Sequence, residues 1–161
     1  MKHIHRLGFA AVLACMTATH SFADDTKPKP APSPAGSWSF KTQPMGYGCV
    51  LSGDMTITKT SSKSFKCRFK AVWSCKTRAP KAVNTDQSCI ATQTGDNLII
   101  TSRIEKITKV DPPEMLEVSK SNYAADHFNV TINAHGDEMD GLFKSYGQSP
   151  VKFRRQQDLV G

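Results

Sequence analysis

The chain has 161 residues, of which 39% are hydrophobic and 22% charged, and it carries a formal net charge of +7. That length suits one ordinary domain plus a short appendage. Its longest leading apolar run, Leu7 to Ala14, is too short to span a bilayer as a helix, and no later segment is longer, so a transmembrane helix is excluded.

The first residues read as an export signal. Lys2, His3, His5 and Arg6 form a basic start, the apolar run follows, and Ser21-Phe22-Ala23 offers small residues where a signal peptidase cuts, which predicts cleavage after residue 23. A competing reading takes Val12-Leu13-Ala14-Cys15 as a degenerate lipobox, with Cys15 as a lipid anchor. Removal of residues 1–23 leaves 19 basic and 14 acidic side chains and four of the five cysteines. An even cysteine count in an exported, periplasmic or secreted domain reads as two disulfides. The cysteines are separated by 17, 7 and 13 residues with no C-x-x-C pair, so neither a zinc site nor any other metal or cofactor is expected.

Residues 24–35 alternate proline with small and charged residues, which predicts an extended, solvated linker. Its functional alternative is an arm that inserts into a partner. The folded domain is expected to span 36–161. Eight strands are predicted, at 37–42, 49–59, 64–75, 87–94, 97–106, 126–134, 137–145 and 150–156. The clearest is Cys67-Arg68-Phe69-Lys70-Ala71-Val72-Trp73-Ser74-Cys75, where a period of two separates an apolar face from a largely basic one. Residues 107–122 contain Pro112-Pro113 and are expected to form a long loop or one short helix.

Turn residues set the registers. A hairpin centred near Ser62 places Ile57 opposite Cys67, Met55 opposite Phe69, Leu51 opposite Trp73 and Cys49 opposite Cys75. Gly95-Asp96 pairs Ala91 with Ile100 and Gln93 with Leu98, and His135-Gly136 pairs Ile132 with Met139, Val130 with Gly141 and Phe128 with Phe143. Each register gathers mostly apolar side chains on one face, which a one-residue slip would scatter. Sequential antiparallel strands must hide their edges, so the expected fold is all-β, an eight-stranded antiparallel up-and-down barrel, with a two-sheet sandwich as the alternative. The register favours disulfides Cys49–Cys75 and Cys67–Cys89. The alternative, Cys75–Cys89 with Cys49–Cys67, stays open because Cys67 lies far from the predicted start of strand four.

The two ends of the domain resemble the calycin group of lipocalin-like barrels. Gly36-Ser37-Trp38 is similar to the G-x-W of the first lipocalin strand, and Val151-Lys152-Phe153-Arg154-Arg155 to the last. The resemblance implies that Trp38 closes one end with an arginine across its face, and the register points to Arg155. The T-D-Y-x-x-Y motif of that family is absent. Ala35-Gly36-Ser37-Trp38 followed by Cys49 also loosely resembles bacterial periplasmic protease-inhibitor barrels, from which the four cysteines depart.

Catalytic groups are scarce. After residue 23 the histidines are His127 and His135 alone. His135 falls in a turn, and Asp126-His127 reads as a surface pair. Asp137, Glu138 and Asp140 lack the spacing and glycine of a calcium loop, and no G-x-S-x-G or phosphate-binding loop occurs. The expectation is a non-enzymatic, exported binding protein. Lys66, Arg68 and Lys70 form a basic outer face that suits solubility, or else anionic headgroups or an acidic partner; nucleic acid is not expected, since no stacking aromatics flank them. Inside, Met55, Phe69, Trp73, Phe128 and Phe143 are the candidate ligand contacts. Gly53, Gly141, Ala71 and Ala91 would leave room at mid-barrel for a small apolar ligand, and Gln93, Ser102 or Ser145 could supply a hydrogen bond. Small residues also permit tight coiling of strands, so a filled core is the favoured reading and a cavity the alternative. The alternative function is an envelope protein-interaction module or protease inhibitor.

Overall fold

The computed structural model describes residues 30–157. The expected signal peptide, the Cys15 anchor and residues 24–29 of the expected linker lie outside them. Eight strands run in chain order: β1 (Gly36–Thr42), β2 (Val50–Lys59), β3 (Ser64–Ser74), β4 (Ala82–Thr94), β5 (Asn97–Asp111), β6 (His127–Ile132), β7 (Glu138–Lys144) and β8 (Gln148–Arg155). Each pairs antiparallel with its sequence neighbour, and β1 also pairs with β8, so the sheet closes on itself as an up-and-down barrel. Closure pairs every strand on both sides except β5, which beyond Ile100 has β4 alone as its partner and so keeps an open edge.

The registers follow the turns. Met55 lies opposite Phe69 and Leu51 opposite Trp73; Ala91 faces Ile100 and Phe128 faces Phe143. The disulfides are Cys49–Cys75 and Cys67–Cys89. The difficulty anticipated for the second bridge came from starting strand four too late. β4 begins at Ala82, which makes Cys89 a mid-strand residue directly opposite Cys67. Polar Thr85 and Gln87 occupy inward positions in the first half of β4 and hide its apolar alternation. β5 likewise continues to Asp111, and residues 112–126 then cross one end of the barrel. That crossing contains a 3₁₀ turn (Pro113–Met115) and a short helix, α1 (Leu116–Asn122).

At the opposite end the turns around Ser61, Gly95 and Gly136 gather, and there the linker reading needs correction. Residues 30–35 are not a free solvated spacer: Pro34 is buried, and the segment is hydrogen-bonded to the barrel. Trp38 Nε1 donates to Pro34 O at 2.8 Å, and Gln93 Nε2 donates to Pro32 O at 2.9 Å. Arg155 spans the same end. Its guanidinium carbon lies 4.3 Å from the Trp38 ring centroid, and its nitrogens donate to the carbonyls of Gly136, Ala35 and Ser33 at 2.6, 2.6 and 2.8 Å. A charged donor fanned over three carbonyls and stacked on an indole holds this end shut.

The lumen is filled. Phe40, Phe69, Phe128 and Phe153 form an edge-to-face and tilted cluster with centroid separations of 5.2 to 5.9 Å. Phe143 joins it at 5.8 Å from Phe128. Rings at such spacing add attraction beyond the area they bury. The mid-barrel space that Gly53 and Gly141 would leave does not exist. A methyl group on Gly53 would lie 2.8 Å from Phe40 Cζ, and one on Gly141 would lie 2.6 Å from the Val130 Cα. These glycines let strands and rings approach closely.

Candidate functional site

A shallow groove of about 990 Å³ runs outside the barrel along β1, β2 and β8; within the barrel, one end is shut and the middle packed, and free volume remains at the other end. A cavity of about 420 Å³ sits between the barrel mouth and the crossing segment. Trp73 lies between them, 6.1 Å from the Phe143 ring on one side and lining the cavity on the other. Much of the remaining wall comes from Pro80 and Val83, Met115 and Val118 of the crossing segment, Tyr123 before β6, and Tyr146 in the β7–β8 turn, with Arg78 and Asn122 adding polar groups. Tyr123 and Tyr146 stack edge to face at 6.5 Å. Cys75 also lines the cavity, so the Cys49–Cys75 bridge ties its wall to the start of β2.

The polar centre of this cavity is Asp126, 1% exposed. Gln87 Nε2 donates to Asp126 Oδ2 at 2.5 Å and to Thr85 Oγ1 at 3.0 Å. Gln87 Oε1 accepts from the Asp126 backbone N–H at 3.1 Å, and the Tyr123 hydroxyl donates to Oδ2 at 3.0 Å. Burial pushes the Asp126 carboxyl up to about 7, and the Gln87 and Tyr123 bonds only partly offset that rise. Burial, then the charge of Asp126, raises the Tyr123 hydroxyl well above the ordinary tyrosine range. Both side-chain donors converge on Oδ2, and among the described residues none donates to Oδ1. No fully buried side-chain nitrogen or oxygen among those residues lacks a partner. Oδ1 is therefore not wholly enclosed, and Asp126 is one of the residues lining the cavity.

The five interior candidates divide. Trp73 lines the cavity; Met55, Phe69, Phe128 and Phe143 are buried in the packed core beneath it. Of the polar candidates, Ser145 lines the cavity and donates to Ala124 O at 3.2 Å. Ser102 donates through Oγ to Asp126 O and so holds the residue just before β6 that carries the carboxyl. Gln93 belongs to the closed end. The reading of Asp126-His127 as a surface pair is corrected. His127 accepts from the Ser102 backbone N–H through Nδ1 at 3.1 Å, whereas Asp126 is buried on the other face. The available signal was parity: Asp126 alternates in step with Phe128 and Val130.

Lys66, Arg68 and Lys70 point outward from β3. The register sets Lys70 between Asp54 of β2 and Asp86 of β4, so carboxylates interrupt the basic strip. Glu105 is held below the usual carboxylate range by the Ser88 hydroxyl and then by Arg103, with Arg68 adding a smaller pull. In the acidic hairpin, Glu138 and Asp140 pair with Lys152 at 3.4 and 3.3 Å. Among the described residues no group of three or more histidine, cysteine or carboxylate side chains is placed to hold a metal ion, and no helix is long and apolar enough to cross a membrane.

No protein-family model and no curated protein matches the sequence. Solved structures do. A redesigned β-barrel, mFAP1, bound to DFHBI, is 13% identical, with 76% of this chain and 94% of that chain covered and a TM-score of 0.51. A second redesigned barrel, b11L5F_LGL, is 11% identical over 77% of this chain and 91% of that one, with a TM-score of 0.50. The likeness is one of fold. It extends the eight-stranded antiparallel barrel to proteins with which this chain shares little sequence, and the site must be argued from its own residues.

Proposed function

We propose that this protein is an exported, non-enzymatic β-barrel that binds one small, largely apolar molecule at its open end. The observation that carries this reading is the cavity walled by Trp73, Val83, Met115, Tyr123 and Tyr146 over a single buried carboxyl. Concave, mostly apolar volume with few converging polar groups is the usual form of a small-molecule site. The barrel scaffold suits the task, since eight strands enclose space for one small ligand at most, and the aromatic cluster confines that space to the mouth. The stacked Trp38 and Arg155 support a lipocalin-like origin for the closed end. Two disulfides fit an oxidising compartment, periplasmic or extracellular. A binding role is favoured over catalysis because both histidines outside the signal region lie away from the cavity, where Asp126 has amide, hydroxyl and backbone partners rather than a nucleophile. Native mass spectrometry of protein purified from its own envelope or medium should show a small adduct that denaturation releases. A mass equal to the bare oxidised chain in every preparation would count against a resident ligand.

A further inference from the structure

The cavity combines three features that together select a ligand chemistry. Its carboxyl is nearly inaccessible to bulk water and lines the cavity, yet one oxygen, Oδ1, has no donor among the described residues. Three aromatic rings line the same space, Trp73 and Tyr123 half-buried and Tyr146 exposed at the rim. The wall beside them is mostly apolar, with Asn122, Ser119 and Ser145 among it. An ammonium group gains from an opposing carboxylate and from the negative faces of aromatic rings, and both attractions strengthen where water is excluded. We infer that the open-end cavity binds a small organic amine, its apolar body against Trp73 and Met115 and its ammonium on Asp126 Oδ1. This inference rests on the proposed binding function and specifies the ligand of that same site.

Arg78 is the group that could argue otherwise, because it also lines the cavity and would favour an anionic head. It is exposed and sits over the Tyr47 ring at 5.3 Å, on the rim, whereas Asp126 lies deep. Depth decides between them, since a charge in water is screened and a buried one is not. The other charged groups near Asp126 leave the assignment intact. Glu117 and Lys120 of α1 pair with each other at 2.7 Å on the exposed face, and His127 of β6 faces away from the cavity, on the Ser102 backbone. Tyr123 and Tyr146 are both raised above the usual tyrosine range, so neither ionises near neutrality.

Three probes sharing one apolar body separate the outcomes: 2-phenylethylamine, 2-phenylethanol and 3-phenylpropanoate. Binding is read from the fluorescence of Trp73, with isothermal calorimetry as a second measure, using the full oxidised chain. The amine should bind at least about tenfold more tightly than the alcohol at about pH 8, a charge-assisted contact against a neutral one. That preference should shrink as the pH falls below about 7, where the carboxyl takes up its proton. In Asp126→Asn the amine should lose its advantage over the alcohol. The comparison within the unaltered protein stands even if that variant folds poorly. Equal binding of amine and alcohol would overturn the amine assignment while leaving the apolar site intact. Preference for the carboxylate probe would overturn it in favour of Arg78. Failure of all three probes to bind would remove the proposed site itself.

Discussion

Replacing Asp126 with asparagine should change how stability depends on pH, and the sign follows from burial. The carboxyl titrates near 7 in the folded protein against an ordinary value of 3.8. A raised carboxyl leaves the folded state protonated where the unfolded state has already ionised. Stability linked to this group is therefore fully present below about pH 4, declines as the pH rises toward 7, and is level above that. At about 1.4 kcal/mol per pH unit, a displacement of roughly three units amounts to about 4 kcal/mol. Asparagine keeps the acceptor for Gln87 and Tyr123 but cannot ionise, so the variant should gain about 4 kcal/mol relative to the native protein between about pH 4 and pH 8. Urea unfolding of both proteins, with disulfides intact, across that range measures the gap. Reading the difference removes Glu105 and Asp137, whose lowered carboxyls work in the opposite direction at the acid end. A gap that stays constant with pH would refute a buried Asp126 whose carboxyl is raised to about 7.

The closed end should be the more sensitive to loss of charge. Arg155→Ala removes the Trp38 stack and three hydrogen bonds to carbonyls, and should cost about 3 kcal/mol in urea unfolding; a change below about 1 kcal/mol would mean the arginine is ornamental there. Phe128→Ala opens a hole among Phe40, Phe69, Phe143 and Phe153 and should cost about 3–5 kcal/mol by the same assay; a near-neutral result would mean the lumen is not packed. Peptide mapping without reduction should recover Cys49 joined to Cys75 and Cys67 joined to Cys89. A fragment joining Cys75 to Cys89 would contradict the β3–β4 register.

The barrel could be read from the sequence because its turns and its apolar alternation agree. Ser62, Gly95-Asp96 and His135-Gly136 each set a register that placed apolar partners together, and the structure keeps all three. The cavity was hard to read for the same reason. Thr85, Gln87 and Asp126 are polar residues at inward positions, so each looks like a break in a strand rather than part of an interior. Only their mutual hydrogen bonds, between β4 and the residue just before β6, reveal why polarity is tolerated there. The glycines at 53 and 141 misled in the other direction. Composition suggested space, but rings and backbone from neighbouring strands occupy it. Residues 30–35 carry a solvated composition, yet their carbonyls are what Trp38, Gln93 and Arg155 need.

The two tryptophans mark opposite ends of the barrel, which makes one measurement decisive for where a ligand sits. Each indole N–H gives its own signal in a two-dimensional ¹H–¹⁵N spectrum. Titration with 2-phenylethanol should move the Trp73 indole signal together with backbone amides of residues 115–126 and 145–146, while the Trp38 indole, bonded to Pro34 O, stays in place. A Trp38 signal that moves while Trp73 does not, or a spectrum that does not change at all, would contradict binding at the open end.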